Sequence, residues 1–176
     1  GEDDIIKNSA VNFYKGDISK EEVEKFYDAQ RDPNDATPIS YGLNSKLVKE
    51  NGKIYEDVYK SGGLYGEAID QIIYWLEKAN TVAENDAQRN YTNLLINYYK
   101  SGDLNIWDEY NVAWVQDSVS MIDYVNGFIE DYGDPMGMKA TWEAVVNFKD
   151  LEATKRSSII SQNAQWTMQP FPRPNT

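Results

Sequence analysis

The sequence predicts a mainly α fold of the α+β class: a helical, bundle-like domain with one β-hairpin and one or two further short strands. Between residues 65 and 114, apolar residues recur every three or four positions in three successive segments, as amphipathic helices require. An Asn51-Gly52 pair between two strand-like runs indicates the hairpin. The length of 176 residues suits one domain, and an aromatic content of 13% supplies material for a core.

The N-terminal segment, residues 1–31, is predicted to be helical. Residues 2–15 carry isolated apolar side chains among charges, which indicates a ragged helix. Ser19 followed by Glu22 is a capping box, in which each side chain accepts a hydrogen bond from the backbone N–H of the other residue. This pair predicts the start of a second helix. Residues 32–38 are rich in Asp, Asn and Pro and indicate a linker.

The Asn51-Gly52 pair predicts a type I′ hairpin from about Ser45 to Val58, because both central residues of that turn need a positive φ. A two-residue turn also sets the register. The resulting pairs match opposite charges, or an apolar with an aromatic residue: Glu50 with Lys53, Val48 with Tyr55, and Lys46 with Asp57.

Three helices are predicted after the hairpin. The first carries its apolar stripe from Tyr65 to Val82, the second ends at Gly102, and the third is a shorter helix from Ile106 to Trp114. The tryptophans are predicted to lie in the core rather than on a sugar-stacking surface, because they fall among aliphatic residues at helical spacing. They are Trp75, Trp107, Trp114, Trp142 and Trp166.

The pattern is weaker in the last third of the chain. Residues 119–129 fit either a buried strand or a helix, and the alternation from Ala140 to Phe148 indicates a strand. Leu151–Trp166 is predicted as the last helix, and the prolines of residues 170–176 form a tail without regular structure.

Composition excludes several kinds of site. The chain contains no His and no Cys, so it cannot form a Ser-His-Asp triad, a Cys-His pair or a zinc site of the usual imidazole and thiolate ligands. A net charge of −12 argues against nucleic acid or an anionic membrane as a partner. No apolar run approaches the roughly 18–20 residues of a membrane span. A cytoplasmic location is expected, with a periplasmic or secreted one left open.

Three parts of the sequence resemble a known family. They are Ile39–Lys53, Asn126–Gly137, and the pair Glu152–Arg156 and Ser161–Trp166. The central part, which we call the signature segment, reads Asn-Gly-Phe-Ile-Glu-Asp-Tyr-Gly-Asp-Pro-Met-Gly. Together they resemble dipeptidyl peptidase III in its bacterial branch. Residues 32–169 are therefore expected to form one domain with the preceding helices, followed by the tail at 170–176.

The resemblance implies a zinc-dependent exopeptidase that removes dipeptides from the N-termini of peptides, with two lobes around a cleft. In this family a His-Glu-x-x-x-His helix and a Glu of a second motif hold the zinc, and both motifs lie downstream of the region that this chain resembles. This chain has no His, so no catalytic residue and no metal ligand is transferred to it. The expected partners are a peptide with a free N-terminus and the remaining, zinc-bearing part of the parent enzyme.

Two residues of this chain are candidates for substrate binding. The family places an acidic residue four positions before its Gly-Phe-Ile-Glu, where it holds the substrate ammonium, and this position is Asp123. A carboxylate suits that task through a charge-assisted hydrogen bond. The family's Tyr two residues later is Val125 here, beside Tyr124, so either the register is shifted by one or the substrate backbone is bound differently.

Glu130 is the second candidate and belongs to the signature segment. With Asp131 and Asp134 it forms an acidic cluster. Two carboxylates divide acid and base roles only where burial separates their pKa values, which sequence does not reveal. A structural or cleft-lining role for Glu130 is therefore favoured over a catalytic one.

A different function is also compatible with the sequence: a stand-alone helical module that binds peptides or glycans without a metal. The two hypotheses differ in the reading frame expected after Thr176. A frame that continues into His-Glu-x-x-x-His indicates the peptidase, and a stop codon indicates the binding module.

Overall fold

The structure, a computed structural model, describes residues 4–164 of the chain. Within this range the chain forms five strands and five helices. The strands are β1 (Tyr14–Lys15), β2 (Ser45–Glu50), β3 (Lys53–Val58), β4 (Ile122–Glu130) and β5 (Thr141–Phe148). The helices are α1 (Lys20–Asp28), α2 (Gly66–Asn80), α3 (Asp86–Ser101), α4 (Leu104–Gln116) and α5 (Leu151–Gln162). The predicted α+β class is confirmed.

The predicted hairpin is confirmed in position, turn and register. Strands β2 and β3 are antiparallel, and they pair Glu50 with Lys53, Val48 with Tyr55, and Lys46 with Asp57. Asn51 has φ +50° and Gly52 has φ +77°, as a type I′ turn requires. The short strand β1 joins this sheet in parallel with β2, which gives the order β1-β2-β3.

The ragged helix predicted over residues 2–15 is wrong in the part that the structure describes. Asp4 closes a short turn by accepting hydrogen bonds from the backbone N–H groups of Ile6 and Lys7. The chain then runs into β1, and the carbonyl of Phe13 accepts a hydrogen bond from Leu47 of β2. Pairing with a strand that is distant in sequence therefore overrides a weak local pattern. The capping box of α1 is confirmed, with both reciprocal hydrogen bonds present.

Helices α2, α3 and α4 pack side by side, with α3 in the centre. Helix α3 is buried along its length because Leu95, Tyr98 and Tyr99 face its neighbours. Gly102 ends this helix with φ +74°, which confirms its prediction as a C-terminal glycine. None of the helices in residues 4–164 is long and apolar enough to span a membrane.

Residues 119–129, for which the sequence left two alternatives, form strand β4, and the strand predicted from Ala140 is confirmed as β5. The two strands form an antiparallel sheet of their own, with a bulge between Phe128 and Glu130. The last helix is confirmed as α5 up to Gln162. The helix ends there with Asn163 as its C-cap, and residues 165–166 of its predicted length and the tail at 170–176 lie outside the described residues.

Buried side chains form two hydrophobic cores. The larger core lies between α2, α3, α4 and β4, and the smaller core lies between α1, β2 and the N-terminal turn. The larger core includes Leu95, Trp107 and Phe128. The smaller core is centred on Val23, Tyr27 and Leu47 and positions the segment that leads into β5.

Candidate functional site

Strand β4 carries both candidate residues and is held in place by side chains of α3 and α4. The indole Nε1 of Trp114 donates a hydrogen bond to Asp123 Oδ1 at 2.8 Å. On the next residue, the hydroxyl of Tyr124 is hydrogen-bonded to that of Thr92. The strand is thus anchored at successive positions to two different helices.

Further along β4, Tyr99 of α3 fixes the residue before the signature glycine. The Tyr99 hydroxyl donates to Asn126 Oδ1 at 2.7 Å and accepts a hydrogen bond from Trp142 Nε1 at 2.8 Å. Since Trp142 lies on β5, one buried hydroxyl connects both strands of the sheet to α3. Burial raises the pKa of Tyr99 far above its usual value, so this hydroxyl stays protonated and able to donate.

The signature glycine, Gly127, allows β4 to approach α4 closely. A Cβ atom at this position would lie 2.5 Å from Cη2 and 2.7 Å from Cζ3 of Trp107. Such distances are far below the 3.5–4.0 Å of ordinary carbon contacts. The glycine is therefore required by packing against a buried indole ring.

Asp123 is half-buried, and its carboxylate has the Trp114 bond as its one hydrogen bond within residues 4–164. No Lys or Arg of that range forms an ion pair with it. The carboxylate therefore has one neutral donor and no cationic partner among the described residues. Oδ2 keeps its full capacity to accept hydrogen bonds.

Glu130 lies at the other end of β4 and is exposed. Seven residues of extended strand separate it from Asp123, which corresponds to roughly 20 Å. The two candidate residues are therefore not brought together, and one substrate ammonium cannot contact both. Asp131 is also exposed, whereas Asp134 is buried, so the acidic cluster of the sequence does not form one site.

The position of Tyr124 bears on the register at Val125. Side chains alternate between the two faces of a strand, so Val125 shares a face with Asp123, and Tyr124 points to the other face. There its ring packs edge-on against Tyr91, with centroids 5.5 Å apart. Tyr124 is thus a half-buried anchor on the face opposite to Val125.

Two apolar cavities on the same side of the molecule flank Trp142 and together are called the apolar groove. One cavity, of about 520 Å³, lies between α2 and the β4–β5 sheet, and the other, of about 760 Å³, lies between α2 and the end of β4. Ile72 and Trp142 line both cavities. Other large side chains that line the groove include Trp75, Leu76, Tyr124, Val146, Phe13, Tyr59, Tyr65 and Phe128.

The prediction that the tryptophans lie in the core is only partly correct. Trp107 is buried in the core as predicted, but Trp75 is 66% exposed and Trp142 is 43% exposed. Trp75 lies on a second apolar stripe of α2, beside the stripe of Ile69 and Ile73 that enters the core. Trp166 lies outside the described residues.

The side chains that the structure describes do not fit a zinc ion. Within residues 4–164 there is no group of three or more His, Cys, Asp or Glu side chains that could hold a metal. The chain contains no His or Cys at all, which are the ligands that zinc prefers. No chemical step is therefore assigned to a metal in this chain.

Sequence reasoning did not identify Trp114, Thr92 or Lys139 as important residues. Trp114 and Thr92 read as ordinary members of amphipathic helices, and Lys139 carries no local signal. The hydrogen-bond partner of Trp114 is 9 residues away in the chain, and that of Thr92 is 32 residues away. Lys139 donates a hydrogen bond to the Tyr27 hydroxyl, 112 residues away. Only the folded arrangement brings these groups together.

Comparisons with known proteins agree with the resemblance seen in the sequence. The family model described as Peptidase family M49 matches residues 4–176. A dipeptidyl peptidase 3 of Dictyostelium discoideum is 24% identical over 188 aligned positions, which include 96% of this chain and 26% of the relative. The dipeptidyl peptidase 3 of Homo sapiens is 25% identical over 114 positions, covering 65% of this chain and 16% of the relative.

Solved structures show the same fold. The structure of DPP III from Caldithrix abyssi has a TM-score of 0.67 and 23% identity over 94% of this chain. The dipeptidyl-peptidase III from Corallococcus sp. strain EGB has a TM-score of 0.62 and 20% identity over 88% of it. This chain covers 30% and 28% of those two structures, so it spans less than a third of each relative. With a family model that matches nearly its whole length, the chain belongs to peptidase family M49.

Proposed function

We propose that this chain is the non-catalytic portion of a zinc-dependent dipeptidyl peptidase, that it forms a wall of the substrate cleft, and that Asp123 binds the free N-terminus of a peptide. Membership of a peptidase family supports the peptide substrate. The observation that carries the proposal is the half-buried carboxylate of Asp123, which has a neutral indole donor and no cation among the described residues.

A substrate ammonium would supply the cationic partner that the Asp123 carboxylate lacks among the described residues. Trp114 holds Oδ1, and Oδ2 accepts one of the three N–H groups of the ammonium. Hydrogen bonds to charged groups contribute about 1.5–3 kcal/mol each. An internal peptide bond has no such charge, so the site would select chain ends.

Zinc and the groups that hold it would come from the remaining part of the parent enzyme, as the family resemblance implies. The described surface of this chain has features that suit such a partner. Val146 and Phe148 of β5 and Ile159 and Ile160 of α5 are exposed, and no residue of α5 is buried. Large exposed apolar surfaces of this kind mark interaction sites. We propose that the rest of the parent enzyme covers them.

The test is a substitution of Asp123 in a full-length enzyme that contains this segment. Asp123→Asn keeps the size and the Trp114 bond but removes the charge. We expect kcat/KM to fall roughly 10-fold to 100-fold, mostly through a higher KM. The reason is that the lost charge-assisted hydrogen bond contributes about 1.5–3 kcal/mol. Asp131→Asn, an exposed acid of the same segment, serves as the control.

The comparison of two substrates makes this test specific. A peptide with a free N-terminus loses affinity in the Asp123→Asn variant, whereas an N-acetylated peptide, which binds weakly to both proteins, shows no further loss. Glu130→Gln tests the second candidate for substrate binding. It should have a smaller effect on KM, because Glu130 is exposed and lies roughly 20 Å from Asp123. An unchanged KM for the free peptide in the Asp123 variant would show that the ammonium site is elsewhere.

The alternative function, a stand-alone binding module, is supported by the apolar groove with its exposed Trp75 and Trp142. It is tested on the 176-residue chain alone. Saturable binding of an apolar peptide that shifts the tryptophan emission, together with a stop codon after Thr176, supports the module. Absence of binding leaves the peptidase portion as the proposed function.

A further inference from the structure

Lys139 is a charged residue in an unusual position, since its side chain has 0% exposure. Its Nζ donates hydrogen bonds to Tyr27 Oη at 2.7 Å, to the Ser45 carbonyl and hydroxyl oxygens at 3.1 Å each, and to the Gly42 carbonyl at 3.3 Å. No Asp or Glu within residues 4–164 forms a direct ion pair with it. A buried lysine without a carboxylate in contact is rare.

Two hydroxyl groups connect this ammonium to a carboxylate. The Tyr27 hydroxyl donates to Glu56 Oε1 at 2.8 Å, and the Ser45 hydroxyl donates to the same oxygen at 2.6 Å. Both hydroxyl oxygens accept from Lys139 in turn. Lys139 and Glu56 therefore form an ion pair bridged by two hydroxyls rather than one in direct contact.

A second carboxylate holds the backbone of the same segment. Asp134 Oδ2 accepts hydrogen bonds from the N–H groups of Met138 and Lys139 at 2.9 and 3.0 Å, and from the Tyr14 hydroxyl at 3.0 Å. The rings of Tyr14 and Tyr27 also lie 5.8 and 5.2 Å from the ammonium, within the range of cation–π attraction. The groups that face Lys139 thus come from β1, α1, the start of β2, β3 and the signature segment.

These contacts join the two hydrophobic cores. Tyr27 belongs to the smaller core, whereas Ala140 and Leu43 belong to the larger one. The backbone N–H of Ala140, the residue after Lys139, donates to the Leu43 carbonyl at 2.9 Å. Strand β5 begins one residue later. The lysine therefore lies where the signature segment, the hairpin and α1 meet.

We propose that the Lys139 side chain couples the two hydrophobic cores, and that this coupling is more stable when the lysine has lost its proton. A neutral amine keeps two N–H donors for the surrounding oxygens, while the Tyr27 and Ser45 hydroxyls go on donating to Glu56. The neutral amine also carries no charge that must be held away from water. The protonated form has a third N–H donor, but it also has a buried positive charge. Hydroxyl groups separate this charge from the carboxylate of Glu56.

The direction of the pH dependence follows from the pKa of this group. Burial lowers the pKa of Lys139 from 10.5 to about 8, against the opposing effect of Glu56 and Asp134. Between these two values the unfolded chain binds more protons than the folded chain, so the folding equilibrium constant rises with pH. Buried tyrosines, whose pKa values are raised, oppose this rise as the pH approaches 10, because they lose protons first in the unfolded chain. Lys139→Met keeps these tyrosines, so we expect the folding equilibrium constant of the original chain, divided by that of this variant, to rise about tenfold from pH 8 to pH 9.5.

The first experiment follows the lysine Cε resonances of the 176-residue chain by NMR during a pH titration. One lysine should titrate with a midpoint near pH 8, and its signal should be missing in Lys139→Met. Glu56→Gln should lower this midpoint, because the bridged carboxylate stabilises the charged form. Glu50→Gln, which changes a carboxylate of β2 outside this network, should leave it unchanged. Midpoints above about pH 10 for every lysine would overturn the proposal.

The second experiment measures the coupling through amide hydrogen exchange. In Lys139→Met the amides of β2 and α1 should exchange at least tenfold faster than in the original chain, while those of α3 change much less. Lys25→Met, which alters an exposed lysine of α1, serves as the control and should change neither group. Equal acceleration in both cores, or none, would mean that Lys139 does not couple them.

Discussion

Replacement of Gly127 by Ala tests the packing that positions the signature strand. The added methyl carbon would lie 2.5 Å from Trp107 Cη2, about 1 Å closer than an ordinary carbon contact. The indole ring has little room to retreat, because the rings of Tyr98 and Tyr110 lie with centroids 4.9 and 5.2 Å away. The backbone φ of +157° at Gly127 is also unusual for a residue with a side chain.

The expected loss in the free energy of unfolding is about 2 kcal/mol. Overpacking of a well-packed core destabilises by about 1–3 kcal/mol. Because Ala does not adopt this φ without strain, the reduced freedom of the unfolded chain gives no net gain here. For a chain of this length, that loss lowers Tm by roughly 4–8 °C. Thermal and urea unfolding of the 176-residue chain, followed by tryptophan fluorescence and far-UV circular dichroism, measure both quantities.

A matched glycine in the same segment provides the control. A Cβ atom at Gly133 has no atom within 4 Å, so Gly133→Ala should change stability by less than about 0.5 kcal/mol. Trp107→Leu provides a second test, because it removes the ring atoms that the new methyl group would meet. Gly127→Ala should then be less destabilising than in the original chain. Equal stability of the Gly127 and Gly133 variants would refute the reasoning.

Two further predictions concern the stability of the same chain. Ser19→Ala removes the capping box of α1 and should lower the free energy of unfolding by about 0.5–2 kcal/mol in urea titrations, whereas Ser118→Ala, at an exposed serine outside any helix, should have no measurable effect. Phe128→Ala, at a side chain with 6% exposure, should cost about 3–5 kcal/mol. Phe148→Ala, at one with 81% exposure, should stay within about 0.5 kcal/mol and should reduce self-association in sedimentation measurements.

Local chemistry was sufficient to predict several elements from the sequence. The Asn51-Gly52 turn fixes its own backbone angles, and the pairing of the two strands follows by counting from it. The Ser19–Glu22 capping box and Gly102 likewise depend on neighbours within a few residues. In each case the groups that decide the structure lie within about one turn of the chain, so no knowledge of the tertiary fold is needed.

Other elements depend on partners that lie far away in the chain. Residues 119–129 become a strand because β5 pairs with them and because Thr92 and Trp114 anchor them to the helices. The apolar period of α2 shows that its faces are hydrophobic, but it does not show which face is covered. The prediction that Trp75 lies in the core is wrong for this reason. The environment of Lys139 has no local signal, because it is assembled from five separate parts of the chain.

The candidate site could be predicted only in part for the same reason. The resemblance to a family located Asp123 by counting from the signature glycine, and the structure shows a carboxylate there that is held by Trp114. Its distance from Glu130 could not be predicted, because it depends on whether residues 119–129 form a strand or a helix. The same seven residues would span only about 10 Å in a helix.

The division into two cores has a practical consequence for spectroscopy. The smaller core contains Tyr27 and Phe26 but no tryptophan among the described residues, whereas Trp107 and Trp114 belong to the larger core or pack against it. Emission of the described tryptophans, excited at the red edge of the indole band, therefore reports on the larger core rather than on the smaller one. A single cooperative fluorescence transition can thus coexist with earlier melting of α1 and the hairpin. Tyrosine absorbance or backbone dichroism must be recorded beside it before this chain is treated as a two-state protein.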